Sequence, residues 1–169
     1  MRHLSYRPCV GIALFNPKGE VFVGRRRSKR VLDPALAGHE WQMPQGGIDP
    51  GEAPRDAALR ELREETNVSS VTLLAESPRW LNYDLPVDIS KRSWRGRYKG
   101  QTQKWFAFRF EGQETEINIL APAGGHKPEF AAWRWEAIER LPELIIPFKR
   151  AVYESVVADF RHLADMPAS

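Results

Sequence analysis

The sequence predicts one α/β domain, because short apolar segments typical of strands alternate with two segments of helical periodicity, one central and one C-terminal. A chain of 169 residues fits one domain and is long enough to bury a core, so we expect a single domain over residues 1–169. The hydrophobic content of 42% and the charged content of 28% are those of a soluble globular protein.

The charge balance and the chain start bear on partners and location. Lys and Arg number 25 against 22 Asp and Glu, and many acids lie in 52–65 and 111–116, so other surfaces are more basic than the net charge of +3 suggests. Such basic surfaces suit a polyanionic substrate. The first eight residues lack an apolar signal core, and no apolar run is long enough to span a membrane. We therefore expect a cytoplasmic protein that does not bind membranes.

The N-terminal segment predicts a β-hairpin. Residues 7–15 form an apolar run typical of a buried strand, 16–19 form a turn, and 20–24 return as the second strand. Cys9, the only cysteine, lies in the apolar run, and we interpret it as a small buried hydrophobe. Five positive charges follow within residues 25–30, and they form either a solvated loop or a patch that contacts phosphates.

The second half of the chain predicts the remaining elements. Residues 71–85 indicate one or two strands, 103–110 a further strand and 129–135 a short element. Residues 148–163 have helical periodicity, with an apolar side made of Val152, Tyr153, Val156, Val157 and Phe160. Between the strands, 86–100 is irregular and interleaves basic with aromatic residues, so it is either an exposed loop or a surface for single-stranded nucleic acid.

The segment 46–68 is the most informative part of the chain. A glycine-rich turn leads into a helix predicted over Pro54 to Thr66, with proline in its first turn. At about 100° per residue, three glutamates share an arc of roughly 100°: Glu61, Glu64 and Glu65. A different arc is expected to face the core, and it carries Leu59, Leu62 and Thr66.

Three anions at this spacing repel one another by roughly 0.2–0.5 kcal/mol per pair on an exposed helix. A solvated acidic face would tolerate that cost. A hard divalent cation such as Mg²⁺ instead requires clustered oxygen ligands on a rigid element, and this helix supplies them. Gly46 and Gly47, ahead of the helix, allow close approach of the backbone to a bulky group or a positive φ.

The pattern resembles the signature of the Nudix hydrolases, which cleave nucleoside diphosphates linked to another group. From Gly46 it runs through five residues to Glu52, through seven more to Arg60-Glu61-Leu62, and on to Glu64-Glu65. The family usually has Gly where this chain has Asn67, and Asn also tolerates a left-handed helix end. The resemblance implies a Nudix-type α/β/α sandwich with a mixed β-sheet.

Further strings narrow the resemblance to the bacterial RNA pyrophosphohydrolases and the related dinucleoside polyphosphate hydrolases. They are found at 6–12, 41–48, 103–106, 128–130, 133–135 and 148–150. The resemblance extends over nearly the whole chain. The segment 25–40 is longer than in the enterobacterial members.

The resemblance implies a set of site residues. The metal ligands would be Glu61, Glu64, Glu65 and Glu129, holding Mg²⁺, Mn²⁺ or another divalent cation. Arg60 would orient a neighbouring glutamate, and Glu61 is a candidate general base, although a carboxylate that ligates metal has the same requirements. The substrate would contact Arg7, Gly46, Gly47, Ile146, Phe148 and Lys149. Taken alone, Glu129 fits an ordinary loop acid and Phe148 fits packing at a helix start.

Three functions remain open from the sequence. The first is removal of pyrophosphate or phosphates from 5′-triphosphorylated RNA by attack of water on phosphorus, which promotes mRNA decay. The second is hydrolysis of dinucleoside polyphosphates such as diadenosine tetra- or pentaphosphate at the same metal centre. The third is a catalytically inactive module that binds RNA or nucleotide. The sequence identifies no protein partner.

Overall fold

The centre of the molecule is a parallel pair of long strands, β1 (Ser5–Phe15) and β7 (Tyr98–Phe110). The computed structural model describes residues 5–27, 38–87, 96–121 and 123–165. Along β1 every residue from Cys9 to Phe15 is buried, because helices cover both faces of the sheet at this position. The apolar run predicted as a buried strand is confirmed.

The other strands join this pair in one mixed sheet, and among the described residues their pairing is otherwise antiparallel. On one side lie β2 (Val21–Arg26), β3 (Trp41–Gln42) and β8 (Phe130–Glu136). On the other side β5 (Val71–Glu76) and β6 (Leu81–Asp84) pair with different parts of β7. The strand β4 (Gln45–Gly47) pairs with residues 9–11 of β1. The segment predicted as one or two strands therefore forms two.

Two hydrophobic clusters hold helices against the two faces of the sheet. On one face, α1 (Pro54–Thr66) packs its buried alanines and Leu62 against β1 and β7. On the other, α2 (Leu141–Leu144) and α3 (Arg150–Phe160) pack against Trp105 and its neighbours. This arrangement confirms the predicted α/β/α sandwich with a mixed sheet. Within the described ranges no helix combines the length and the apolar character needed to cross a membrane.

Several element boundaries differ from the prediction. Arg25 and Arg26 belong to β2 rather than to a loop, because β2 continues its ladder with β8 to that point. The short strands β3 and β4 were not predicted, since two or three residues carry no periodic signal. The segment 98–100, predicted as irregular, opens β7. The remaining basic residues of 25–30 beyond Arg27, and residues 88–95 of the basic and aromatic segment, lie outside the described residues.

The predicted core face of α1 is correct for Leu62 and Thr66 and wrong for Leu59. Leu62 and Thr66 are fully buried, whereas Leu59 is 37% exposed. The buried face follows the row through Ala58, Leu62 and Glu65, at steps of four and three residues. Leu59 lies at the rim of that row and lines a surface cleft with Arg63 and His126.

Paired alanine substitutions test this assignment of the two leucines. Leu62→Ala should lower the free energy of unfolding by about 2–5 kcal/mol, because it leaves a cavity in a close-packed core. Leu59→Ala, one turn earlier on the same helix, should cost less than about 1 kcal/mol. Urea denaturation of the two variants measures both values, and equal losses would contradict the assigned helix face.

Candidate active site

The helix α1 carries the predicted carboxylates, and its two ends explain its position. Proline occupies the first turn after an extended Ala53, where its missing N–H has no helical partner to lose. The helix ends at Asn67, which has a left-handed φ of 69° and donates its backbone N–H to the carbonyl of Arg63. Asn67 therefore takes the conformation for which glycine is usual, as the sequence predicts.

Arg60 forms hydrogen bonds with three glutamates of the acidic segment. Its guanidinium donates to both carboxylate oxygens of Glu52, at 2.8 and 2.9 Å, and to the carbonyl of Gly47 at 2.8 Å. Its Nη1 also donates to Glu61 at 2.9 Å and to Glu64 at 3.1 Å. The hydrogen bonds from Arg60 lower the pKa of Glu52 to about 2. Arg60 thus forms an ion pair with Glu64, one turn along the helix, as well as with Glu52 and Glu61.

Glu65 is the buried carboxylate of the set. Its side chain is 8% exposed, and its Oε2 accepts no hydrogen bond. Burial raises the pKa of Glu65 well above its ordinary value, and the negative charges of Glu129 and Glu61 raise it further. The backbone N–H of Gln45 acts in the opposite direction, stabilising the charged form. Burial also raises the pKa of Glu61, against the opposing effect of Arg60.

The remaining two predicted ligands lie beside this buried group. The Oε1 of Glu64 lies 3.3 Å from the Nε2 of His126, and its Oε2 accepts a hydrogen bond from Arg60. Glu129 is exposed, directly before β8, and its carbonyl accepts the backbone N–H of Arg27. In the side-chain conformations of the described residues, no three carboxylates or imidazoles converge tightly enough to hold a metal together. Glu61 and Glu64 are instead hydrogen-bonded to Arg60.

The residues fit a divalent cation even so. An unpartnered, buried carboxylate oxygen next to further carboxylates is the environment in which a cation offsets both desolvation and repulsion. The ligands would be all-oxygen, which is the donor set preferred by Mg²⁺ and Mn²⁺.

The two glycines ahead of the helix are required for close approach rather than for positive φ. A Cβ on Gly46 would collide with the carboxylate of Glu61, and a Cβ on Gly47 would collide with the guanidinium of Arg7. Arg7 is thereby placed against the glycine strand, with its Nη1 3.9 Å from the sulfur of Cys9. Of the predicted substrate-binding residues, Arg7, Gly46 and Gly47 are therefore together.

The predicted base-binding residues gather around an aromatic ring that sequence analysis did not single out. The ring of Phe148 lies 5.9 Å from that of Tyr83, and the Nζ of Lys149 lies 5.4 Å from the centre of the Tyr83 ring. Ile146 packs against the same hydrophobic cluster. Lys149 is 5% exposed, and burial, with repulsion from Arg26, lowers its pKa to about 7. The charges of Glu129 and Glu65 act on Lys149 in the opposite direction, so the two groups of residues are neighbours.

Sequence reasoning missed several polar residues of this region. Glu52 is part of the quoted signature, but its role as the main partner of Arg60 gave no separate signal. Tyr83 shares a strand face with Leu81 by alternation, and only its pairing with Gln101 places it near Lys149. Gln101 and Gln103 are buried and hydrogen-bonded to each other. Their alternation with Trp105 along β7 was the available sign that they share a face.

Comparison with known proteins assigns the class. Residues 5–156 match the NUDIX domain, and the chain belongs to the Nudix family. Curated relatives called RNA pyrophosphohydrolase include one from Azorhizobium caulinodans, 57% identical over 97% of both chains. Another, from Afipia carboxidovorans, is 58% identical over 95% of both chains. The relative from Agrobacterium fabrum is 56% identical over 95% of both.

Solved structures support the fold at much lower identity. The Escherichia coli dihydroneopterin triphosphate pyrophosphohydrolase aligns with a TM-score of 0.63 at 21% identity, covering 91% of this chain and 98% of that one. A Caenorhabditis elegans Ap4A hydrolase in a binary complex aligns with a TM-score of 0.61 at 18% identity, covering 95% and 99%. At these identities the similarity establishes the sandwich fold alone.

The ion pair between Glu52 and Arg60 predicts a pH-dependent stability. The pKa of Glu52 in the folded chain is about 2, below its ordinary 4.5. The pair therefore stabilises the folded state fully above about pH 4.5, and this contribution is lost as the pH falls towards 2. Glu52→Gln should lower the free energy of unfolding at pH 7 by about 1–2 kcal/mol, since the pair is partly open to solvent.

The measurement is urea denaturation of wild type and variant at pH 7 and pH 2.5. The deficit of Glu52→Gln should shrink at the lower pH. Glu143→Gln, a change at an exposed glutamate of α2, serves as the control. A deficit that stays constant with pH would show that the pair contributes through packing and not through charge.

Proposed function

We propose that the protein is a divalent-cation-dependent RNA 5′-pyrophosphohydrolase, which converts 5′-triphosphorylated RNA to 5′-monophosphorylated RNA. The observation that carries the proposal is the Oε2 of Glu65, which is buried without a hydrogen bond among further carboxylates and lies near Lys149. Arg7 acts on the neighbouring Glu61. The names of relatives at 56–58% identity over nearly the full chain support the choice of substrate. Conversion of the 5′-triphosphate to a 5′-monophosphate would promote decay of the RNA.

The chemistry of a triphosphate explains why both cations and carboxylates are needed. Its negative charges repel an attacking hydroxide, and a bound divalent cation supplies charge neutralisation and acidifies water. Glu61, Glu64, Glu65 and Glu129 would hold that cation. Arg7, which lies against Gly47, would bind phosphate oxygens, since a guanidinium matches two such oxygens at once.

Other residues would orient the carboxylates, accept the proton of the attacking water and bind the base. Arg60 keeps Glu61 and Glu64 oriented and screens their mutual repulsion while Glu52 anchors it. Glu61 is the candidate to accept the proton of the attacking water, because burial raises its pKa. Phe148 and Tyr83 offer ring faces for a base, and Lys149 adds a hydrogen-bond donor beside them.

The substrate is tested by direct competition between classes. Purified protein with Mg²⁺ is incubated with a 5′-triphosphorylated oligoribonucleotide and, separately, with diadenosine tetraphosphate. We expect the higher kcat/KM for the RNA. A higher value for the dinucleotide would assign the protein to dinucleoside polyphosphate hydrolysis, and absence of Mg²⁺-dependent turnover on either would leave a binding module.

The carboxylate centre is tested at Glu65. Glu65→Gln should retain the fold and lose at least about two decades of kcat, because a neutral amide binds a divalent cation far more weakly. Glu139→Gln, at an exposed glutamate of similar chemistry, controls for surface charge. Circular dichroism confirms folding, and turnover of Glu65→Gln near that of wild type would remove Glu65 from the mechanism.

The base pocket is tested at Phe148. Base stacking on an aromatic ring contributes about 1–3 kcal/mol, so Phe148→Ala should raise KM for the RNA about tenfold or more. Leu144→Ala, which removes apolar surface from the same cluster, controls for packing. A loss in kcat with unchanged KM would instead indicate that Phe148 serves only the helix start.

A further inference from the structure

The strand β4 supports the active site but has almost no side chains of its own. It consists of Gln45, Gly46 and Gly47, and only Gln45 carries a side chain. The glycines cannot be replaced by larger residues without collision with Glu61 and Arg7. Interdigitated side chains normally fix the position of a strand, so β4 depends on its backbone pairing with β1 and on the contacts of Gln45.

The outer edge of β4 contacts the catalytic helix through backbone groups. Ile12 donates to the carbonyl of Pro44 and Ile48 donates to the carbonyl of Pro8, so the alternate pairs at Gln45 and Gly47 point their backbone groups away from β1. The carbonyl of Gly47 accepts from Arg60. The N–H of Gln45 stabilises the charged Glu65. A displacement of β4 would therefore displace both partners.

A chain of buried amides holds the one side chain of β4. The indole Nε1 of Trp105 donates to the Oε1 of Gln103 at 2.9 Å, and the Nε2 of Gln103 donates to the Oε1 of Gln45 at 3.2 Å. An indole N–H is a donor only, so it fixes which end of the Gln103 amide faces Gln45. Gln103 is 1% exposed, and its second N–H donates to Gln101 at 2.8 Å.

A second buried hydrogen bond reaches the same segment from the C-terminal helix. The hydroxyl of Tyr153 accepts the backbone N–H of Met43 at 2.9 Å. The rings of Tyr153 and Trp105 meet edge to face, with centroids 5.6 Å apart. Trp105 in turn lies over Gly11, where a Cβ would collide with its ring. We call these two hydrogen-bonded connections to residues 43–45, one through Gln103 and one through Tyr153, the tethers. Both lead to the packed rings of Trp105 and Tyr153.

We propose that Gln103 and Tyr153 are positioning residues, which hold the segment 43–47 so that its backbone aligns Glu65 with the cation and fixes Arg60, which orients Glu61 and Glu64. Neither side chain needs to contact either ligand. That the position of β4 affects catalysis rests on the proposed function. That the two tethers determine the position of β4 does not depend on it.

The test uses the full chain with Gln103→Leu and with Tyr153→Phe, each of which removes a tether and keeps most of the volume. Amide hydrogen exchange at Gly46 and Ile48 reports the strand, and exchange at Phe108 reports global stability. We expect exchange at Gly46 and Ile48 to quicken about tenfold beyond any change at Phe108. Mn²⁺ affinity, measured by calorimetry without substrate, should weaken about threefold to tenfold, since the carboxylates lose their alignment.

Trp135→Phe is the matched control, because it removes an indole hydrogen bond, to Glu114 at 2.7 Å, at the opposite end of the sheet. It should leave exchange at Gly46 and Mn²⁺ affinity as in wild type. The proposal is overturned if both tether variants exchange at Gly46 and Ile48 no faster than global stability dictates, or if Mn²⁺ affinity stays unchanged while the strand loosens. A wild-type protein that binds Mn²⁺ but does not cleave triphosphorylated RNA would contradict the proposed substrate alone.

Discussion

The buried carboxylate of Glu65 is the constraint on which the rest of the site depends. Its Oε2 lies out of solvent without a hydrogen-bond donor, beside other carboxylates, and this is an expensive arrangement for a folded protein. A core residue of the same shape would be more stable there. Such a cost is typical of functional sites. The two hydrophobic clusters, one on each face of the sheet, supply the stability that offsets it.

Two basic side chains near this centre, those of Arg60 and Lys149, act in different ways. Arg60 is saturated with acceptors, and hydrogen bonding to Glu52 raises its pKa, so it is a permanent counter-charge with fixed geometry. Lys149 is buried against the Tyr83 ring, and burial lowers its pKa to about 7. Arg60 therefore belongs to the support of the carboxylates. Lys149 lies within the field of Glu65 and Glu129 and beside the Tyr83 ring, so it is the basic group of this pair that suits a contact with an anionic ligand.

The parts that could be predicted from the sequence are those set by local rules. The helix 54–66, its left-handed end at Asn67, the shared arc of the three glutamates and the buried strand around Cys9 all follow from periodicity and the preferences of single residues. Leu59 shows the limit of that reasoning, because one arc of a helix can satisfy the periodic pattern while its edge faces a cleft. Periodicity determines the direction of a side chain but not how far the neighbouring sheet extends.

The polar partners could not be predicted because they depend on strand register. Gln103 and Gln45 are 58 residues apart, and Met43 and Tyr153 are 110 apart. A shift of β7 by one residue against β1 would turn Gln103 to the opposite face, where α1 packs. The signature around the glutamates therefore specifies the reacting groups, whereas their spacing is set by buried hydrogen bonds from β7 and α3. A strand whose two glycines approach Glu61 and Arg7 closely has only the side chain of Gln45 for its own placement, so its pairing with β1 is supplemented by residues distant in sequence.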